Sequence, residues 1–445
     1  MVLGVACLKR CLIVLGVLVL LGAGLISCGG YGGTTPSTTT GASGLKFRVL
    51  VSQDVSAPTT RPGYIIVDAQ KDVRARVAGI SSNVQPTMMV VSNDRKVTLA
   101  LSSDNRSLEL VDNTKEALSS IGTVTLPGTT ESFVISVDNT TSYAAVPNAP
   151  VAGGGSSGAI AIVNLTNGGT PSKLPVPNVH YLVQSGDGSK ILAFSDNSDA
   201  ITIVSPFNIV AGQQNATCAP DVCTTVPGFD RPVFGFLSSD NTQAWILNCG
   251  PECGGIQASV QLLDLVHNTA GPPTPVPGGA TVGFLKNQTL YVAGNPPLGS
   301  NTCAGGPTTA ATTCGRLTTV DLTSLPQSGG IQPTAVIPDG YHTHIDISGD
   351  GQLFVGSRDC TNIVPANPGD EQRGCLAILN TNNGNLVIPP DNGDVTGLQP
   401  ITNRTVFYVI EGGELRIYDT TTDKIYTVAS VDIFGNGVDV KLIDF

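Results

Sequence analysis

The residues best suited to chemistry lie in one short run, Tyr341-His342-Thr343-His344-Ile345-Asp346. Alternate residues of a β-strand share a face. An extended segment here therefore turns His342, His344 and Asp346 to one side, and Thr343 and Ile345 to the other. Two imidazoles and a carboxylate on one face are donors for a divalent metal. They make only part of a site, because a metal centre draws on three or four protein ligands; His180, on a similar segment, is the candidate to complete it. The alternative is a polar strand with hydrogen-bonded histidines. A second candidate is the charged stretch holding Arg358, Asp359, Asp370, Glu371 and Arg373, flanked by Cys360 and Cys375. Loops held on a rigid scaffold are where binding residues collect. No catalytic residue can be assigned. The chain has four histidines, no G-x-S-x-G elbow and no C-x-x-C-H haem motif. The glycine-rich run Gly153–Gly158 is followed by no helix that would receive a phosphate. No cofactor is expected beyond a possible divalent metal.

The N-terminus carries a different chemistry. Lys9 and Arg10 precede an apolar run from Leu12 to Ile26, the layout of an export signal. The run is shorter than the roughly 20 apolar residues that a membrane span needs. It ends in Leu25-Ile26-Ser27-Cys28, which resembles the lipobox of bacterial lipoproteins. That resemblance implies cleavage before Cys28 and lipidation of its thiol and amine, an anchor that holds because it has more than one acyl chain. Gly29 and Gly30 follow, not aspartate; by resemblance to Gram-negative sorting signals this favours the outer membrane. Residues 1–27 are then a signal peptide and residues 28–44, rich in Gly, Ser and Thr, a low-complexity tether unable to bury a core.

Eight cysteines remain in the exported part, as four sequence-local pairs: Cys218 and Cys223, Cys249 and Cys253, Cys303 and Cys314, Cys360 and Cys375. An oxidising compartment favours disulfides over zinc ligation, and locality favours these four pairings. The formal net charge is −11, which argues against a nucleic-acid partner, since such a partner needs a basic patch.

Positioning these residues is the task of a repeated unit from Leu45 to the C-terminus. An apolar strand leads to a polar turn, a second strand, a loop and a third strand ending in a polar residue. The third strand recurs as YIIVD to Asp68, LELVD to Asp112, IAIVN to Asn164, ITIVS to Ser205, VQLLD to Asp264, LTTVD to Asp321, LAILN to Asn380 and LRIYD to Asp419. The turn recurs as SNDR, SVDN, SGDG, SSDN and SGDG from Ser92, Ser136, Ser185, Ser238 and Ser348; Asp, Asn and Gly tolerate the left-handed geometry of tight hairpins. Strands at this period, with no helices, predict an all-β chain folded as a β-propeller over residues 45–445. A sandwich would give shorter spacings. Eight blades are expected, with seven the alternative. The first unit lacks its leading strand and the last has a surplus one, VDVKLIDF, so the C-terminal strand should pair with the first blade and close the ring. The loops of the Cys249, Cys303 and Cys360 pairs would then share one face, with the Cys218 loop on the other.

The phrase S-x-D-G, apolar strand, loop, apolar-Asp-Thr is similar to the YVTN-type repeat of YncE-like and lactonase-like propellers. ISGDGQLFVGS around Asp350 and LRIYDTTTDK around Asp419 carry the likeness. These motifs specify turns and packing, and fold does not imply function. The resemblance implies a periplasmic or surface protein. The expectation is a monomeric, membrane-anchored scaffold in the cell envelope that binds a protein or glycan. The alternatives are an envelope enzyme of lactonase or quinoprotein type and a metal-binding lipoprotein.

Overall fold

A computed structural model describes residues 42–444, apart from 55–62, 152–154, 211–212, 297–313, 326–329, 333, 361–373, 390–392 and the side chains of 425–429. The chain folds into eight four-stranded antiparallel sheets, each built from consecutive strands except the first. The molecule is an eight-bladed β-propeller. The eight segments aligned above form the third strand of each blade.

Blade 1 is completed by the C-terminus. Its innermost strand is Gly437–Leu442, which pairs antiparallel with Arg48–Gln53, Val49 opposite Leu442 and Val51 opposite Val440. The ring is thus closed as the unmatched terminal strands require, and no inner edge is left open. A buried clasp reinforces the closure. The Arg48 amide donates to Asp444 and the Ile443 amide to the Arg48 carbonyl. The Arg48 guanidinium pairs with Glu116 of blade 2 at 2.6 Å, both side chains being nearly inaccessible.

The core has no single centre. Eight apolar clusters fill the eight gaps between neighbouring blades. In blade 4, Leu192 and Phe194 face blade 5, whereas Ile191 and Ala193 face blade 3. Middle strands are therefore buried on both faces, which is why they read as unbroken apolar runs. Between blades 7 and 8, Phe354 and Phe407 stack with centroids 3.8 Å apart. Each such fully buried side chain contributes on the order of 2–3 kcal/mol.

The S-x-D turns join first to second strands by one repeated device. The serine hydroxyl donates to the aspartate two residues on, from Ser92 to Asp94, Ser136 to Asp138, Ser185 to Asp187, Ser238 to Asp240 and Ser348 to Asp350. The next residue takes positive φ in every copy: Arg95, Asn139, Gly188, Asn241 and Gly351. The serine oxygen then accepts the amide that opens the second strand, as from Lys190 to Ser185 at 2.9 Å. These turns lie at the end of the ring where third strands also finish. First strands start at the other end, beside the loops between second and third strands.

Candidate functional site

At that other end the central channel opens into a cavity of about 920 Å³. All eight blades line it, mostly through the first residues of their inner strands. The opening has a structural cause. Six of the eight inner strands carry a β-bulge within their first few residues. The residues passed over by the register are Val438, Thr87 with Met88, His180, Val233, Thr343 and Thr396, and every one lines the cavity. A bulge bends its strand and re-aims a side chain. Repeated in six of the eight blades, it flares the mouth and turns the passed-over residues into it.

The bulge also revises the expected arrangement of the histidines. In the blade 7 inner strand, Tyr341–Ile347, His342 pairs with Ser357 and His344 with the next residue back, Gly356, leaving Thr343 unpaired. The strict alternation that would place His342, His344 and Asp346 on one face resets at Thr343. His342 is buried, and its Nε2–H donates to the Pro338 carbonyl at 2.9 Å. Its ring packs where only Gly315 leaves room; a Cβ there would lie 2.7 Å from the imidazole. His344 exchanges a 2.7 Å hydrogen bond with the Thr343 hydroxyl through Nδ1. Asp346 accepts the amide of Ile347. Burial holds both imidazoles down to about 4, so both are neutral near pH 7. No three His, Cys, Asp or Glu side chains converge as a metal set among the described residues.

His180 is elsewhere engaged. Its Nδ1 lies 3.1 Å from Asp196 and its Nε2 3.3 Å from Glu131. Ionised carboxylates only accept hydrogen bonds, so both ring nitrogens are drawn to the protonated form. The hydrogen bond that the His180 ring donates to Glu131, with the Asp196 charge, raises the His180 pKa; the same contact with His180 lowers that of Glu131. Glu131 is the residue immediately before the blade 3 inner strand, and Asp196 follows the second strand of blade 4.

Two arginines complete the mouth. Arg231 precedes the blade 5 inner strand and meets Asp199 at 3.3 Å. Arg358 ends the second strand of blade 7, exposed, its side chain without a hydrogen bond or ion pair among the described residues. Its charge still acts on Glu131 in blade 3 and on His344. An aromatic wall stands between blades 4 and 5, where Tyr181 and Phe234 pack with centroids 5.3 Å apart. Buried Arg231 Nε, His342 Nδ1 and Thr396 Oγ1 have no hydrogen-bond partner.

The stapled loops rise on this same face. Cys249–Cys253 and Cys360–Cys375 are bonded, and Cys253 touches the cavity. Cys314 is disulfide-bonded, while Cys303 lies outside the described residues. Cys218–Cys223 is bonded on the opposite face. Glu252 of the first loop accepts the backbone and side-chain N–H groups of Asn295, whose side chain also donates to the Gly340 carbonyl beside blade 7. Of the expected binding-loop residues, Arg358 reaches the mouth and Asp359 is exposed, its amide donating to Asp394. Asp370, Glu371 and Arg373 lie outside the described residues, as does Cys28. Sequence reasoning passed over Glu131, Asp196 and Arg231. Their common signal is position: each sits one or two residues beyond the end of an inner or second strand at the mouth.

No protein-family model matches this chain, and no curated protein matches it. Solved structures do. Dihydro-heme d1 dehydrogenase NirN, in complex with DHE, matches with a TM-score of 0.57 at 10% identity, covering 92% of this chain and 78% of that one. Hydrazine synthase of Kuenenia stuttgartiensis matches with a TM-score of 0.51 at 12% identity, covering 77% and 94%. At these identities the likeness is one of fold.

Proposed function

We propose that this chain is a lipid-anchored envelope protein that binds a ligand in the mouth of its propeller. The carrying observation is the convergence on one bulge-flared cavity of three of the four histidines, two arginines and a carboxylate pair. A passive scaffold has no use for so many ionisable groups in its channel, and ligand sites pair an apolar wall with a few placed polar groups. A volume of about 920 Å³ suits a small molecule or a short glycan better than a broad protein interface. The resemblance of the repeats to YVTN-type propellers favours an envelope location, and the lipobox-like run ending at Cys28 would supply the anchor.

The entry point of the chain supports an orientation. Ser43 donates through its amide and hydroxyl to Glu116 at 2.6 and 2.7 Å, in the turn between the third and fourth strands of blade 2. That turn is on the face opposite the mouth. Ser43 thus sits on the side away from the cavity, and a lipid anchor at Cys28 would turn the mouth away from the membrane.

The test is to fill the mouth. Thr281→Trp, at the lip of blade 6, should leave the melting temperature within about 2 °C of wild type. In a thermal-shift screen of envelope metabolites and short glycans, at least one compound should stabilise wild type and fail to stabilise the filled protein. A screen with no hit, or with hits equal in both proteins, would falsify the reading. An enzymatic role is the second reading, favoured by His180, which two carboxylates fix in place as an imidazole poised for proton transfer is fixed. Consumption of the hit by wild type but not by His180→Gln would install it.

A further inference from the structure

We propose that the ligand of the mouth is an anion carried on an apolar ring: its carboxylate or phosphate lies on Arg358 and its ring on the Tyr181–Phe234 wall. This rests on the reading of the mouth as a ligand site and names the class of molecule it takes.

Both carboxylates of the mouth, Glu131 and Asp196, are already held by His180, and His342 Nδ1 is left as a buried acceptor. Donors are in excess. The Arg358 guanidinium makes no hydrogen bond or ion pair among the described residues, and Arg231 keeps its Nε–H buried and unpartnered although its Nη1 meets Asp199. The buried Arg231 Nε–H without a partner is costly, and an acceptor-rich ligand would satisfy it, while the exposed Arg358 guanidinium is open to such a ligand from the cavity side. Protonated His180 with its two carboxylates leaves one negative charge, Arg231 with Asp199 leaves none, and Arg358 acts on Glu131 only through space, so its guanidinium fork is not engaged by any side chain among the described residues. A guanidinium offers a planar fork matched to the two oxygens of a carboxylate or phosphate.

The rest of the ligand is fixed by what lies beside these groups. Tyr181 and Phe234 present half-buried rings to the cavity, and Met88, Val233 and Val282 continue an apolar lining. Ring-bearing molecules gain from such a wall through area burial and offset stacking. The net charge of −11 repels anions from the surface as a whole, so anion binding must come from the local placement of Arg358 and not from a general basic field.

The experiment uses the full-length protein in detergent, titrated calorimetrically with 2-naphthoate and with its neutral isostere 2-naphthamide. Wild type should bind the acid about tenfold more tightly than the amide, the scale of one charge-assisted contact. Arg358→Gln should bring the two affinities together. Phe234→Leu, which keeps the apolar volume, should weaken both ligands several-fold, as the loss of one stacked aromatic does. Lys71→Gln, the same charge change on an exposed residue of blade 1, should change neither. Equal wild-type affinity for acid and amide, a preference that survives Arg358→Gln, or no binding of either would overturn the assignment. Equal binding of both that disappears in Thr281→Trp would overturn it while leaving the mouth reading standing. Benzyl phosphate, run in parallel, separates the two anion types: tighter binding than naphthoate assigns phosphate, weaker binding assigns carboxylate, and both depend on Arg358.

Discussion

His342 and His344 sit one residue apart and yet serve different surroundings. His342 gives Nε2–H to a carbonyl and keeps Nδ1 as a bare, buried acceptor; His344 stands half-buried in the channel with Thr343. Both are depressed to about 4, chiefly by burial. The folded protein therefore refuses protons that the unfolded chain accepts at about 6.5. Stability from these groups is complete above pH 6.5 and is lost as pH falls towards 4. For His342, the more buried, that loss approaches about 3 kcal/mol. His180 has the opposite sign. Its raised pKa gives stability that is present below pH 6.5 and lost as pH rises through the folded value. Urea denaturation of wild type and His342→Gln at pH 7 and pH 4.5 isolates the first effect. The variant should be the less stable at pH 7 and should lose at least 1 kcal/mol less than wild type on acidification. An equal loss in both would mean that His342 is not held neutral.

At the scale of the element, the inner strand of blade 7 shows how turns aim the mouth. Gly340 precedes it with φ of +95°, and a Cβ there would lie 2.2 Å from the Arg358 carbonyl. The same residue accepts from Asn295, which is tied to Glu252 of the stapled blade 5 loop. Gly340 thus joins three blades at the lip, and only a residue without a side chain fits. Gly340→Ala should cost about 2–4 kcal/mol, the sum of a left-handed backbone penalty and a steric shift. It should also displace Arg358 and so weaken the anion preference. A melting temperature unchanged within 1 °C would show that the lip can yield. The bulges belong to this scale too. They could not be read from the periodicity of His342-Thr343-His344, because a bulge inserts one unpaired residue without altering the pattern of residue types.

At the scale of the molecule, the ring and its closure are one arrangement, and the proposed anchor would act through it. The terminal strands meet in blade 1, Ser43 is held on the face opposite the mouth, and Cys28, the proposed lipidation site, lies 15 residues before it. Labelling of cells with an alkyne fatty acid should tag the wild-type chain and not Cys28→Ala. The variant should move from the membrane pellet to the soluble fraction while keeping the same melting temperature. A wild-type chain that takes no label would remove the anchor and with it the outward-facing mouth.

The sequence by itself determined the number of blades, the pairing of the last strand with the first and the disulfides Cys218–Cys223, Cys249–Cys253 and Cys360–Cys375. It could do so because these depend on local turn chemistry, on repetition and on partners close in the chain. The eight copies of the third strand, the S-x-D turns and the unmatched terminal strands carry that information residue by residue. The site was decided only by the tertiary structure. Glu131, His180, Asp196, Arg231 and Arg358 come from blades 3, 4, 5 and 7 and meet because the ring is closed and its inner strands bulge. The strand periodicity that suggested His342, His344 and Asp346 as a metal set does not carry through the bulge at Thr343, and no such set of three converges among the described residues.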